Sequence, residues 1–93
     1  MDQIEKEFQK KALVRGGIYL FHPEDAVKVI ERCRILNKRI LGIDSFRITD
    51  KETRPVDSID FSIDGSSEGF WQEAIEFIRL RRNEGLMFEI VHE

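Results

Sequence analysis

The sequence predicts a small α+β domain, because segments with helical periodicity alternate with short runs of strand-forming residues. The chain has 93 residues, of which 41% are hydrophobic and 35% are charged. A chain of this length can build one modest core, so we expect a single domain over residues 1–93. The expected architecture is a small mixed sheet of three to four strands with two main helices and a short N-terminal helix.

The N-terminal part of the chain predicts a helix followed by a strand. Apolar residues recur at every fourth position between Asp2 and Val14, and Asp2 can cap the first turn. Gly16 and Gly17 are expected to end this helix. The compact apolar run at 17–21 then predicts a short strand.

A second helix is predicted from Pro23 to about Asn37. Proline is favoured at the first helical position, and the two acidic residues after it suit a helix N-terminus. The next segment, Ile40–Ile48, has strand chemistry, but its alternation of apolar and polar residues is imperfect. Either both faces of this strand are covered or a bulge between Gly42 and Ser45 resets its register.

The following strand alternates cleanly. Between Val56 and Ile63 the apolar residues Ile59, Phe61 and Ile63 share one face, and serines and an aspartate share the other. With the polar turn at 49–55, these two strands predict an antiparallel hairpin.

The last part of the chain predicts one more helix and one more strand. The loop at 64–67 offers a serine N-cap, helical periodicity extends from Phe70 to about Asn83, and Gly85 is expected to end the helix. Leu86–Val91 then reads as a strand. The order strand, helix, strand predicts a right-handed crossover between parallel strands.

Residues with nucleophilic or strong metal-binding character are few and scattered, at His22, Cys33 and His92. They have no catalytic spacing, and a lone cysteine cannot form an internal disulfide framework or a cysteine-cluster zinc site. The glycine-containing segments at 15–17 and 64–69 lack the pattern of a phosphate-binding loop. We therefore expect a protein that is not an enzyme, with no catalytic residues, cofactor or metal.

Composition also limits the partners. A net charge of −3 argues against a general nucleic-acid-binding protein. No run of about 18 apolar residues is present, and the first residues have no signal-peptide core. We expect a cytoplasmic protein that binds neither nucleic acid nor membranes, with its oligomeric state left open.

Acidic residues concentrate between positions 50 and 68, where six acids stand against two bases, whereas residues 1–49 carry seven acids and ten bases. Three interpretations are open: a solubilising surface that blocks edge-to-edge strand pairing, a carboxylate site for metal binding or catalysis, and a docking surface for a basic partner. Exposed aromatic residues would anchor such a partner, although core packing is their alternative role. The candidate partner-binding residues are Asp44, Asp57, Asp60, Asp64, Glu68, Phe70 and Trp71.

The segment from Pro23 to Phe61 resembles small bacterial immunity proteins of polymorphic-toxin systems, in particular the immunity protein 40 family. The resemblance rests on the helix with an acidic start, the strand Arg39–Arg47 with the sequence RILGIDSFR, the polar turn and the second strand. It implies a cytoplasmic, non-catalytic protein that binds and neutralises one cognate toxin domain by occlusion, often a basic nuclease. The alternative is a small adaptor or regulatory domain without a toxin partner.

Overall fold

The computed structural model describes residues 2–63 and 68–93, and within them three helices and two antiparallel sheets confirm the α+β class. One sheet pairs β1 with β2, and the other has the strand order β4-β3-β5. The elements in chain order are α1 (Gln3–Phe8), β1 (Leu13–Arg15), β2 (Ile18–Leu20), α2 (Pro23–Ile35), β3 (Ile40–Ile48), β4 (Thr53–Asp60), α3 (Trp71–Arg79) and β5 (Met87–His92).

The N-terminal segment differs from its prediction, because α1 ends at Phe8 and the residues after it form the β1–β2 hairpin. Asp2 does cap α1, with Oδ1 accepting a backbone N–H at 2.8 Å. Gly16 and Gly17 both have positive φ, at 57° and 82°. Positive φ at both central residues is the geometry of a type I′ turn, which joins antiparallel strands through two residues. The glycine pair is therefore a hairpin turn and not a helix terminator.

Helix α2 begins at Pro23, as the sequence predicts, and the residue Asn37 beyond its end has the expected left-handed conformation, with φ of 55°. Proline suits the first helical position because the N–H that it lacks would have no partner there. Helix α2 packs against α3 and β5. None of the helices in the described part of the chain has the length and apolar character needed to cross a membrane.

The three-stranded sheet has β3 at its centre. Ile43 pairs with Ile59 of β4 on one side and with Ile90 of β5 on the other, and both pairings are antiparallel. Strands β4 and β5 therefore run in the same direction, but β3 lies between them, so they do not form the predicted neighbouring parallel pair and this sheet is not mixed. Strand β5 joins β3, whose residues are mostly buried, and not β4, whose residues are nearly all exposed.

A register shift near its start and cover on both faces near its end explain the imperfect alternation of β3. The ladder with β4 shifts between Ser45 and Phe46, and the ladder with β5 shifts between Ile40 and Gly42. Such irregularities change which face the following side chains occupy. The extra residue in β3 is Leu41, just before the predicted segment from Gly42 to Ser45, and the shift beside Phe46 has its extra residue, Val56, in β4. Phe46 and Ile48 are covered on the second face, so both predicted explanations apply in part.

The two faces of the three-stranded sheet are covered differently. Helices α2 and α3 pack on one face and, with Ile43 and Phe88 of the sheet, build the main core. On the other face, the β1–β2 hairpin covers one end, where Leu20 packs with Phe46 and Met87 in a second apolar cluster. No described helix or strand covers the remainder of that face. This open part of the sheet is the candidate functional surface.

Candidate functional site

The open face of the three-stranded sheet carries three acidic side chains. Ile43 and its partner Ile90 point to the core, so the next residues along the two strands, Asp44 and Glu89, point to the opposite face. Asp60 shares that face, because its partner in β3 lies two residues before Asp44. We call Asp44, Asp60 and Glu89 the acidic outer face.

A shallow groove of about 400 Å³ runs along the acidic outer face. Its lining includes Gly42, Asp44 and Asp60, and Val91, which is 39% exposed, gives it an apolar rim. A Cβ atom at Gly42 would lie 2.9 Å from the carbonyl oxygen of Ile59 in the neighbouring strand. Glycine is therefore required for β4 to approach β3 here, and it leaves the groove without a side chain at that position.

Asp44 and Glu89 lie directly opposite each other on β3 and β5, and their carboxyl groups are close enough to share a hydrogen bond when Glu89 is protonated. Burial raises the pKa of the Glu89 carboxyl, and the charge of Asp44 and the hydrogen bond to it raise that pKa further. Within the described ranges, no Lys or Arg forms an ion pair with either residue. Like charges directly opposite each other destabilise a sheet. The structure thus holds negative charge here that its own bases do not neutralise.

Replacing Glu89 by glutamine is expected to stabilise the fold at neutral pH. Because the folded-state pKa of Glu89 lies above its ordinary value of 4.5, the stabilising protonated form is fully present below that value and is lost as pH rises. The neutral amide removes the repulsion at pH 7, and we expect a gain of about 0.5 kcal/mol in the free energy of unfolding, reduced by solvent screening. Urea denaturation of both proteins at pH 7 and pH 4 measures this gain in the free energy of unfolding. An equal gain at both pH values would contradict the repulsion between Asp44 and Glu89 as its cause.

Asp57 lies on the other face of the sheet. Its partner in β3 is the fully buried Ser45, and its carboxylate receives hydrogen bonds from Arg81 of 2.6 and 3.1 Å. The guanidinium of Arg81 in turn lies 3.7 Å from the centre of the Phe77 ring. The hydrogen bond from Arg81 lowers the pKa of Asp57 most, followed by the bond from the backbone N–H of Ser58. Asp57 is therefore paired within the chain and does not join the acidic outer face.

Two carboxylates accept hydrogen bonds from backbone N–H groups at the edge of the sheet. Asp57 Oδ1 accepts the N–H of Ser58 at 2.9 Å, and Asp60 Oδ1 accepts the N–H of Ser62 at 2.8 Å. The hydrogen bonds from Ser62 lower the pKa of Asp60. Strand β4 is an edge strand, and its Pro55 has no N–H to offer. Free donors at an edge invite another strand, so these bonds favour the edge-blocking interpretation for this part of the acidic segment.

The two candidate aromatic residues have different environments. Phe70 is only 9% exposed and stacks on Phe61, with ring centroids 4.7 Å apart. It is a core residue, so it is not available as an exposed anchor for a partner. Trp71 is half-buried, and its indole N–H donates to the carbonyl oxygen of Lys38 at 2.9 Å. Its polar edge is therefore satisfied within the chain.

The last two candidate acids contribute little to the described surface. Glu68 is exposed just before α3 and lines a surface depression with Arg34 and Trp71, not the groove of the acidic outer face. Asp64, with the predicted serine N-cap beside it, lies outside the described residues. Of the seven candidates, the structure brings Asp44 and Asp60 together on one face. It adds Glu89, which the sequence did not single out.

The histidines and the cysteine do not meet. Cys33 is fully buried in α2, and burial raises the pKa of its thiol to about 11. A thiol in this environment is a packing residue at neutral pH. His22 precedes Pro23 and makes no side-chain cap hydrogen bond to α2. In residues 2–63 and 68–93, no cluster of three or more His, Cys, Asp or Glu is arranged to hold a metal ion.

These features define a small α+β domain in which one sheet face is open and acidic. Comparison of the chain with protein-family models, curated proteins and solved structures finds no match. What the chain binds is therefore inferred from its own residues.

Proposed function

We propose that this chain is a protein-binding domain that docks a basic partner on the acidic outer face. The observation that carries the proposal is the pair of Asp44 and Glu89, two like-charged groups directly opposed on an open sheet face. Such a pair lowers stability in the free protein. A Lys or Arg of a partner placed between the two carboxylates would replace repulsion by charge-assisted hydrogen bonds.

The surroundings of the pair support a protein partner. Asp44 and Glu89 are half-buried, so a partner would remove them from water and exclude solvent from their ion pairs. Charges that become desolvated in an interface affect affinity, whereas rim charges mainly affect the association rate. We therefore expect the pair to determine how tightly the partner is held, and the exposed Asp60 to speed its arrival.

The same geometry supports binding over hydrolysis. The two carboxyl groups that act in glycoside hydrolases are separated by roughly 5 to 9.5 Å, which leaves room for a sugar or a water molecule. The carboxyl groups of Asp44 and Glu89 are in direct contact, close enough to share a hydrogen bond when Glu89 is protonated, and so leave no such space. We therefore propose a non-catalytic role.

We further propose that the partner is a toxin domain that the chain neutralises by occlusion. The support is the resemblance of Pro23–Phe61 to the immunity protein 40 family, together with an acidic surface suited to the basic active site of a nuclease. The probe is the protein encoded by the reading frame directly upstream, where the toxin of an immunity protein is expected. Isothermal titration calorimetry should show one-to-one binding, and coexpression should protect cells from that toxin. Absence of binding, or binding without protection, would overturn the toxin assignment.

A further inference from the structure

Helices α2 and α3 form a layer on the face of the sheet opposite the acidic outer face. A groove of about 750 Å³ lies between the start of α2 and the end of α3. A second depression lies between Arg34, near the end of α2, and Trp71, at the start of α3. The two helices are therefore antiparallel. We call the solvent-exposed side of α2 and α3 the helical layer.

Acidic residues precede basic residues along the exposed surface of α3. Glu73 and Glu76 are exposed within the helix, and Arg79 and Arg82 are exposed at and just beyond its last turn. None of these four residues forms an ion pair with another residue that the structure describes. This charge order suits the dipole of α3. It also leaves four charges available to a partner.

The charge order of α3 is self-complementary. Glu76 and Arg79 lie three residues apart, and Glu73 and Arg82 lie three residues outside them, so the four positions are symmetric about one point of the chain. A two-fold axis through that point places Glu73 opposite Arg82 of a second copy and Glu76 opposite Arg79, and each pair occurs twice. Complementary charges of this kind favour one partner and one register over others.

Two exposed apolar side chains lie at opposite ends of the helical layer. Leu80, just beyond α3, is 80% exposed, and Ile35, at the end of α2, is 72% exposed. Because α2 and α3 are antiparallel, Ile35 lies beside the start of α3. A second copy with its α3 antiparallel to this one brings its own Leu80 to that end. The same arrangement that pairs the charges therefore also removes both apolar side chains from water.

We propose that this chain associates with a second copy of itself through the helical layer, with the two α3 helices antiparallel. A helix of 13 residues is about 20 Å long, so two adjacent helices offer roughly 400 Å² per copy. Stable complexes bury about 800 Å² per partner, so we expect a weak dimer with a dissociation constant of roughly 100 µM. Both acidic outer faces remain exposed in this dimer, and the proposal does not depend on what they bind.

Sedimentation equilibrium of the free chain over roughly 10 to 500 µM tests the proposal. We expect a monomer–dimer equilibrium that weakens with added salt. Arg79→Glu with Arg82→Glu should weaken the dimer by at least about 10-fold, because acids then face acids. Glu73→Lys with Glu76→Lys should do the same, because bases then face bases. An equimolar mixture of these two variants should restore the dimer, because every opposed pair is again of opposite charge.

Lys10→Glu with Lys51→Glu is the matched control. It makes the same change of net charge as the arginine variant, on exposed residues outside the helical layer, and should change the dissociation constant by less than about 3-fold. Circular dichroism checks that each variant is folded. A native chain that stays monomeric over the whole range would overturn the proposal, and the charge order would then serve only the dipole of α3. Dimers that persist in both charge-reversed variants, or a mixture that stays monomeric, would also overturn it.

Discussion

Replacing Asp44 by asparagine and Glu89 by glutamine in one variant is expected to weaken binding of the basic toxin domain by roughly 30-fold or more. The substitutions keep the size of both side chains and remove the two charges that a partner's Lys or Arg would contact. The fold should persist, because the same change removes the repulsion between the two groups in the free protein. Isothermal titration calorimetry against the toxin domain measures the loss.

The control for this variant is Glu73→Gln with Glu76→Gln, which makes the same change of net charge on the exposed surface of α3. Helix α3 packs on the opposite face of the sheet, so this pair should alter affinity by less than about 3-fold, through long-range charge alone. Similar losses in both variants would show that net charge, and not the acidic outer face, determines binding. Native affinity in the Asp44 and Glu89 variant would exclude this face.

Replacing Phe88 by alanine should reduce the free energy of unfolding by about 3 to 5 kcal/mol, a large part of the stability of a domain of this size. Phe88 is fully buried on β5, packs edge-to-face with Phe77 of α3 at 6.5 Å, and bridges to Phe21. Its removal leaves a cavity where the sheet, α3 and Phe21 meet. Urea denaturation monitored by circular dichroism measures the change.

Leu80→Ala provides the comparison, because Leu80 is 80% exposed just beyond α3 and should change stability by no more than about 0.5 kcal/mol. A small effect at Phe88, close to that at Leu80, would contradict the packing of β5 against the helices. It would also count against the strand order, since the pairing of β5 with β3 places Phe88 opposite the fully buried Ser45.

Local sequence patterns predicted helices and strands correctly where a pattern is typical of only one kind of structure. Pro23 and the acids after it specify the start of α2. The alternation after the polar turn predicted the hairpin with β3, although β4 spans Thr53–Asp60 and not Val56–Ile63. The Gly16–Gly17 pair was misread because glycine with positive φ serves both as a helix terminator and as a type I′ turn. The four-residue spacing of Ile4, Phe8 and Ala12 predicted a helix to about Val14, but α1 ends at Phe8 and Val14 lies in β1.

Only part of the candidate site could be predicted from the sequence, because the site depends on pairing between strands that are distant in the chain. Asp44 and Asp60 were both candidate residues in the sequence, and the hairpin register places them on one face. Glu89 was missed because β5 was expected beside β4, so nothing placed it opposite Asp44. Asp57 could have been separated from Asp60 by counting, since residues three apart on a regular strand point to opposite faces.

The position of β3 also implies an order of assembly. Its two partners lie at very different distances along the chain: β4 follows after a four-residue turn, whereas β5 begins only at Met87. Closing the longer loop costs more chain entropy, so we expect the hairpin to form before β5 docks. Asp44 and Glu89 come together only in that later step. A partner that requires both carboxylates would therefore recognise the completed fold and pass over chains that are still assembling.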